Sequence, residues 1–162
     1  MIDFFNNDFL EYIDLLNKHG VEYVLVGGMA VNLHGYRRST GDMDVFVNPT
    51  KANHVKLRKV HADFGMHMGE MELVDDFMDT KKYDVFTFGI SPIQIDLMTA
   101  CKGITFDEAF ANAIKFSLDK NIKVSVLDYR ELVITKKVAG RNRDKADIEE
   151  LEKVKKNKDS LL

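Results

Sequence analysis

The sequence predicts an α/β (α+β) protein in which a mixed β-sheet is flanked by helices and followed by a helical C-terminal part. Short apolar runs typical of strands alternate with helical patterns through most of the chain, whereas its end carries only helical patterns. We therefore expect a single domain over residues 1–162, with a core over about residues 21–127 and C-terminal helices over about residues 128–157.

The elements before residue 65 alternate between helix and strand. Each predicted helix has apolar residues three or four positions apart, and each predicted strand is a short apolar run that ends at a turn-forming residue. In order, they are a helix capped at Asp8 and stopped by Gly20, a strand over 23–26, a helix over 29–34, a strand over 43–47 and a helix capped at Thr50.

The second half of the chain begins with residues 65–80, which are rich in methionine and acidic residues and give no firm prediction. Two strands joined by a short turn follow, as in a hairpin. The predicted elements are strands over 83–88 and 93–98 with a turn over 89–92, a helix over 106–115, a strand over 122–126, and helices over 128–139 and 145–156.

The composition is that of an ordinary globular protein, with 45% apolar and 30% charged residues. The net charge of −3 argues against a dedicated nucleic-acid binder, but a bound metal could supply positive charge for a nucleotide substrate. The single cysteine, Cys101, excludes an internal disulfide and indicates a reducing compartment. Because no signal peptide or apolar run of membrane-spanning length is present, the sequence predicts a cytoplasmic protein with no membrane partner.

The most informative segment begins with a glycine pair, Gly27-Gly28, that follows an apolar run. Glycines at a strand-to-helix turn let backbone N–H groups approach a phosphate, although a turn that needs positive φ would be satisfied by one glycine. Further along, Asp42 and Asp44 alternate with apolar residues and therefore lie on one face of a strand. Such a pair of carboxylates often lies on the surface in contact with solvent. On one face of a sheet, however, the two charges repel each other unless an arginine or a metal ion compensates them.

A third carboxylate lies in the strand predicted over residues 93–98, where alternation places Asp96 on the face of Gln94 and Met98. An aspartate in mid-strand is expensive to bury unpaired. If this strand neighbours residues 43–47, three carboxylates converge and could bind Mg²⁺. The alternative is that Asp96 pairs with a cation such as Lys102 or Arg141.

Taken together, residues 27–44 resemble the signature of the DNA polymerase β-like nucleotidyltransferase superfamily, in particular its small prokaryotic branch of minimal nucleotidyltransferases and abortive-infection toxins. Residues 131–148 are also similar to that branch. With Asp96 included, the resemblance covers most of residues 21–151 and implies a nucleotidyltransferase fold.

The resemblance implies a role for each part of the candidate site. The glycine pair would cradle a triphosphate, the first two aspartates would bind divalent metal, and the third would be a metal ligand and a base for the acceptor hydroxyl. The implied catalytic and metal-binding residues are Asp42, Asp44 and Asp96, and the implied nucleotide- and phosphate-binding residues are Gly27, Gly28, Arg38, Thr40 and Lys136.

Lys136 matches a lysine in a late helix of the family and could turn inward, although a solvated pair with Lys137 is the more ordinary interpretation. Asp144 and Asp147 also match the family, and we interpret them as residues that stabilise the start of the last helix through its dipole.

The function implied by the resemblance is metal-dependent transfer of a nucleoside monophosphate from a nucleoside triphosphate to an acceptor hydroxyl, with Mg²⁺ (or Mn²⁺) as the cofactor. The nucleotide is left open, and the acceptor could be RNA, protein or a small molecule. One alternative is a toxin of a toxin–antitoxin pair that nucleotidylates tRNA or protein. Another is a non-catalytic, antitoxin-like module that binds a partner, but three retained carboxylates favour catalysis.

Overall fold

A computed structural model of the protein describes residues 5–162. In that range, helices alternate with the strands of a single mixed sheet, and a 3₁₀ turn, Gly69–Met71, separates two of the helices. In chain order, the elements are α1 (Asn7–Lys18), β1 (Tyr23–Val26), α2 (Gly27–Leu33), β2 (Asp42–Val47), α3 (Lys51–Phe64), α4 (Val74–Met78), β3 (Val85–Ile90), β4 (Ile93–Met98), α5 (Phe106–Asn112), β5 (Ile114–Ser117), β6 (Lys123–Val126), α6 (Tyr129–Ala139) and α7 (Asn142–Ser160).

The sheet has the strand order β3-β4-β2-β1-β6-β5. Neighbours β1 and β2, β3 and β4, and β5 and β6 are antiparallel, whereas β2 and β4 are parallel, as are β1 and β6. The predicted fold class, a mixed sheet with flanking helices and a helical C-terminal part, is therefore confirmed.

The two faces of the central strands carry different residues. Met43, Val45 and Val47 of β2 lie on one face and are buried in the core. On α3, which packs with α1, His61 contacts Phe88 of β3 with ring centroids 4.7 Å apart. On the other face, Phe46 packs against the ring of Phe106 in α5. The two aspartates of β2 lie on this same face, before Phe46 in the strand.

Several predicted elements differ from the structure at their ends. The first helix is capped by Asn6, whose side chain accepts a hydrogen bond from the Phe9 amide, so the predicted cap at Asp8 is wrong. The second helix begins at Gly27 itself, two residues before its predicted start. Strand β3 begins at Val85, two residues after its predicted start.

The largest error concerns the helix predicted over residues 106–115. Helix α5 ends at Asn112, and Ile114–Ser117 form strand β5, which pairs with β6 in the register Ile114↔Val126. The local sequence pattern does not predict this strand, because the strand is stabilised by its hydrogen bonds to β6.

The C-terminal part consists of two helices that pack against each other. Asp128 caps α6 by accepting a hydrogen bond from the Glu131 amide, and Gly140 ends the helix with a left-handed φ of 64°. Helix α7 begins at Asn142, three residues before the predicted start. No helix within residues 5–162 combines the length and apolar character that a membrane span requires.

Candidate active site

The three aspartates singled out in the sequence lie together on neighbouring strands. Strands β2 and β4 run parallel, with Asp44 directly opposite Asp96 and Asp42 opposite Gln94. Because side chains alternate along a strand, all three carboxylates project from the same face of the sheet. The prediction that residues 93–98 lie beside residues 43–47 is confirmed.

These carboxylates have no cationic partner among the described residues, since Asp42, Asp44 and Asp96 form no ion pair within residues 5–162. The predicted alternative, pairing of Asp96 with Lys102 or Arg141, is not observed. Asp96 instead accepts long hydrogen bonds from the Gln94 amide, with Nε2 lying 3.2 and 3.4 Å from its two oxygens.

The lack of compensation changes the acidity of Asp44. Its burial, followed by the charges of Asp96 and Asp42, raises the pKa of the Asp44 carboxyl from 3.8 to about 7. A hydrogen bond between the Asp44 and Asp96 carboxyl groups also favours the protonated form of Asp44. The charge of Lys136 opposes this rise in the pKa but does not cancel it, so a proton on Asp44 partly compensates the cluster near neutral pH.

The glycine pair permits a close approach between the turn and this acidic face. Gly27 has φ +69°, and a Cβ built on it would overlap the Asp44 carboxylate. A Cβ on Gly28 would overlap Thr40 Oγ1 and lie 3.3 Å from Arg38 Nη2. Both positions therefore exclude a side chain, whereas a simple turn would need only one glycine.

Beside the glycine turn, two buried aspartates of α7 bind cations from three different segments. Asp147 accepts two hydrogen bonds from Arg38, with Nε and Nη2 at 2.7 and 2.9 Å, and it forms an ion pair with Lys136 Nζ at 2.9 Å. Asp144 forms an ion pair with Lys136 Nζ at 3.3 Å and with Arg141 Nε at 2.7 Å. We call these five residues the cation network.

The cation network corrects two predictions. Lys136 is only 6% exposed, so the interpretation of Lys136 and Lys137 as a solvated pair is wrong for Lys136. Asp144 does cap α7, because it accepts a hydrogen bond from the Arg141 amide at 3.1 Å. However, Asp144 and Asp147 are 0% and 1% exposed, and their main contacts are with charged side chains instead of the helix dipole.

The network keeps both carboxylates ionised. Burial alone would raise the pKa of the Asp144 carboxyl, but hydrogen bonds from Arg141 and Lys136 outweigh burial and lower the pKa below its ordinary value. In the same way, hydrogen bonds from Arg38 and Lys136 outweigh burial and lower the pKa of Asp147. Buried charges of this kind are tolerated when their partners satisfy them.

Two adjoining cavities open between the acidic face and the cation network. The first, which we call the glycine cavity, has a volume of about 200 Å³ and contains the predicted phosphate-binding residues. It is lined by Gly27, Gly28, Arg38, Ser39, Thr40, Gly41, Asp42, Asp44, Lys136, Arg141 and Arg143.

The second cavity, which we call the Cys101 cavity, has a volume of about 280 Å³ and shares Gly27, Asp44, Lys136 and Arg141 with the first. Asp96 lines neither cavity, although it lies next to Asp44 in the sheet. The remaining lining residues are Val26, Asp84, Met98, Ala100, Cys101, Lys102, Thr135, Ala139 and Asp144.

Sequence reasoning did not assign Arg141 or Arg143 to the site, although both line the glycine cavity. Both arginines lie within residues 131–148, the second segment that resembles the family. The signal that could have identified them is the basic sequence between the two predicted C-terminal helices. Sequence alone could not show that this turn folds back over the glycine pair.

Asp42, Asp44 and Asp96 are the candidate ligands for a divalent metal ion. Within residues 5–162, no group of three or more His, Cys, Asp or Glu side chains is already arranged to hold a metal ion. The donor chemistry of Asp42, Asp44 and Asp96 nevertheless fits a hard divalent cation, because carboxylate oxygens are its preferred ligands and their charge is uncompensated. Binding by all three aspartates would require their side chains to reorient.

Comparison with known proteins identifies the family of the chain but not the roles of its residues. No curated protein is significantly similar to the chain. A family model described as a nucleotidyl transferase of unknown function matches residues 5–162, which include every residue of the acidic cluster, the glycine turn and the cation network. The chain therefore belongs to this family of nucleotidyl transferases of unknown function (DUF2204).

Proposed function

We propose that this protein is a metal-dependent nucleotidyltransferase that moves a nucleoside monophosphate from a nucleoside triphosphate to an acceptor hydroxyl. One observation carries the proposal: the uncompensated carboxylates of β2 and β4 lie across the glycine turn from a network of fixed cations. Metal ligands and phosphate-binding groups are the two components that phosphoryl transfer requires of a protein.

The triphosphate would lie in the glycine cavity. Gly27 and Gly28 leave space for its oxygens next to the backbone, and Thr40 offers a hydroxyl at the same wall. Arg38 and Lys136 are held by Asp147, so they would supply a pre-organised positive potential without a large loss of side-chain entropy. The adjoining Cys101 cavity would receive the nucleoside or the acceptor.

Asp42, Asp44 and Asp96 would hold the proposed Mg²⁺ (or Mn²⁺). When bound, such ions neutralise the charge of the transferring phosphate and its leaving group. A divalent cation would also replace the proton that Asp44 retains near neutral pH, because both compensate the same three charges.

In the proposed reaction, the acceptor hydroxyl oxygen forms a bond to the α-phosphorus, and the bond from that phosphorus to the bridging oxygen of the β-phosphate breaks. Pyrophosphate leaves with the electron pair of the broken bond. Asp96 would accept the hydroxyl proton, a role consistent with its place beside Asp44 and its lack of an ion pair within residues 5–162.

The acceptor class, RNA, protein or small molecule, stays a prediction, as do membership of a toxin–antitoxin pair and localisation in the cytoplasm. A non-catalytic partner-binding module is less well supported. Such a module would retain the cost of burying Asp44 beside two other carboxylates without any return in function.

The direct test is incubation of the protein with each α-³²P-labelled nucleoside triphosphate, Mg²⁺ and cell extract, followed by separation of RNA, protein and small molecules. We expect label in one of these fractions, and no label with Asp42→Asn. Circular dichroism would check that this variant is folded. Absence of labelled product with every nucleotide, together with no Mg²⁺-dependent nucleotide binding, would favour the partner-binding module.

A further inference from the structure

The cations that line the glycine cavity differ in how they are partnered. Arg38, Lys136, Arg141 and Arg143 all line this cavity. The first three are members of the cation network and are bound to Asp144 or Asp147. Arg143 alone among these four forms no ion pair or side-chain hydrogen bond with any residue in the range 5–162.

The donors of Arg38 and Lys136, the two least exposed cations of the network, are largely occupied. Arg38 uses Nε and Nη2 on Asp147 and Nη1 on the Ser39 carbonyl oxygen at 3.1 Å. Lys136 lies between two carboxylates. These side chains therefore act on a ligand mainly through their charge, since new hydrogen bonds would break existing ones.

Arg143 would ordinarily pair with Asp147, because residues four apart on a helix are neighbours. Here both oxygens of Asp147 are already bound by Arg38 and Lys136. The backbone of Arg143 is fixed even so, because Asp144, the next residue, caps the helix at the Arg141 amide. Arg143 is exposed, lines the glycine cavity and forms no side-chain hydrogen bond within residues 5–162, so all the donors of its guanidinium are available to a ligand.

We propose that Arg143 is a phosphate-binding residue that contacts the β- and γ-phosphates of the nucleotide. This inference rests on the proposed function, because it assumes that the triphosphate occupies the glycine cavity. A guanidinium matches two phosphate oxygens at once, and formation of these bonds breaks no existing interaction of Arg143 within residues 5–162.

The test is isothermal titration calorimetry with inorganic tripolyphosphate, each of the four ribonucleoside triphosphates and the matching monophosphates, all with Mg²⁺. Arg143→Gln removes the charge, and Arg143→Lys keeps the charge without the bidentate geometry. Lys145→Gln is the matched control, because Lys145 is exposed on the same helix and lines neither cavity of the site.

We expect Arg143→Gln to weaken the binding of tripolyphosphate and of the preferred triphosphate by about 10- to 100-fold, the range for hydrogen bonds to charged groups. Arg143→Lys should give an intermediate loss. Monophosphate binding, and all binding by Lys145→Gln, should stay within about twofold of the wild type.

Two results would overturn the inference, and they are distinguishable. If the wild type binds a triphosphate but Arg143→Gln binds it as Lys145→Gln does, Arg143 is not a phosphate ligand and the proposed function stands. If the wild type binds neither tripolyphosphate nor any triphosphate, the proposed function itself fails and this inference fails with it.

Discussion

Asp44→Asn should stabilise the metal-free protein at high pH while removing a proposed metal ligand. Asp44 is buried opposite Asp96 and has no ion pair within residues 5–162. Its ionised form is therefore disfavoured in the folded protein and not in the unfolded chain. Asparagine has nearly the same shape but carries no charge, so it removes this penalty.

The size of the effect follows from the pKa of Asp44, which is about 7 in the folded protein against an ordinary value of 3.8. This difference corresponds to about 4 kcal/mol of lost stability when Asp44 is fully ionised. Because the folded pKa is raised, the loss is absent below about pH 4, grows between about pH 4 and 7, and is complete above. The new amide must also find hydrogen bonds, so we expect a net gain of about 1–3 kcal/mol at about pH 8.

The assay is urea unfolding followed by far-ultraviolet circular dichroism, since the chain has no tryptophan. Wild type and Asp44→Asn would be compared at about pH 4.5 and about pH 8 without divalent ions. Asp14→Asn is the control, because Asp14 is an exposed residue of α1.

The expected result is a difference in the free energy of unfolding that is larger at about pH 8 than at about pH 4.5. The control should differ little from the wild type at either pH. A variant that is no more stable than the wild type at the higher pH, or a difference that does not change with pH, would refute the electrostatic argument.

Three further predictions concern the glycine turn, the cation network and the metal. Gly28→Ala should destabilise the protein by about 1–3 kcal/mol in thermal melting and weaken nucleotide binding, because its Cβ would overlap Thr40. The Cβ of Gly41→Ala meets nothing within 4 Å, so this control should leave the melting temperature nearly unchanged. Asp147→Ala should cost about 3–5 kcal/mol in urea unfolding, because it removes the carboxylate partner of Arg38 and leaves Lys136 with Asp144 alone. The exposed-pair control Glu150→Gln should cost less than about 1 kcal/mol, and equal losses would contradict the argument. Millimolar Mg²⁺ should raise the melting temperature of the wild type and leave that of Asp44→Asn unchanged, and a similar rise in both would count against metal binding at Asp44.

The alternation of apolar and acidic residues was enough to predict part of the site. It assigned Asp42, Asp44 and Asp96 to the polar faces of their strands, and the structure agrees. Alternation is a property of the strand itself, so it could be recognised without knowing which strands are neighbours. By contrast, the first two residues of β5 were predicted as the end of a helix, because this strand depends on pairing with β6.

The cation network could not be derived in the same way. Arg38 and Asp147 are 109 positions apart in the sequence, yet their side chains form two short hydrogen bonds. Nothing local distinguishes Lys136, which is buried between two carboxylates, from Lys137, which is exposed. Their different surroundings depend on how α6 and α7 pack.

By itself, the sequence determined the fold class, the glycine turn and the identity of the three carboxylates, because each depends on short-range periodicity or on the steric freedom of glycine. The tertiary structure decided that β4 lies next to β2, which turns separate aspartates into one uncompensated cluster. It also decided which cations are fixed and which one, Arg143, faces the glycine cavity without a partner among residues 5–162. The physical reason is that charge–charge interactions depend on distance in space, which local sequence patterns do not specify.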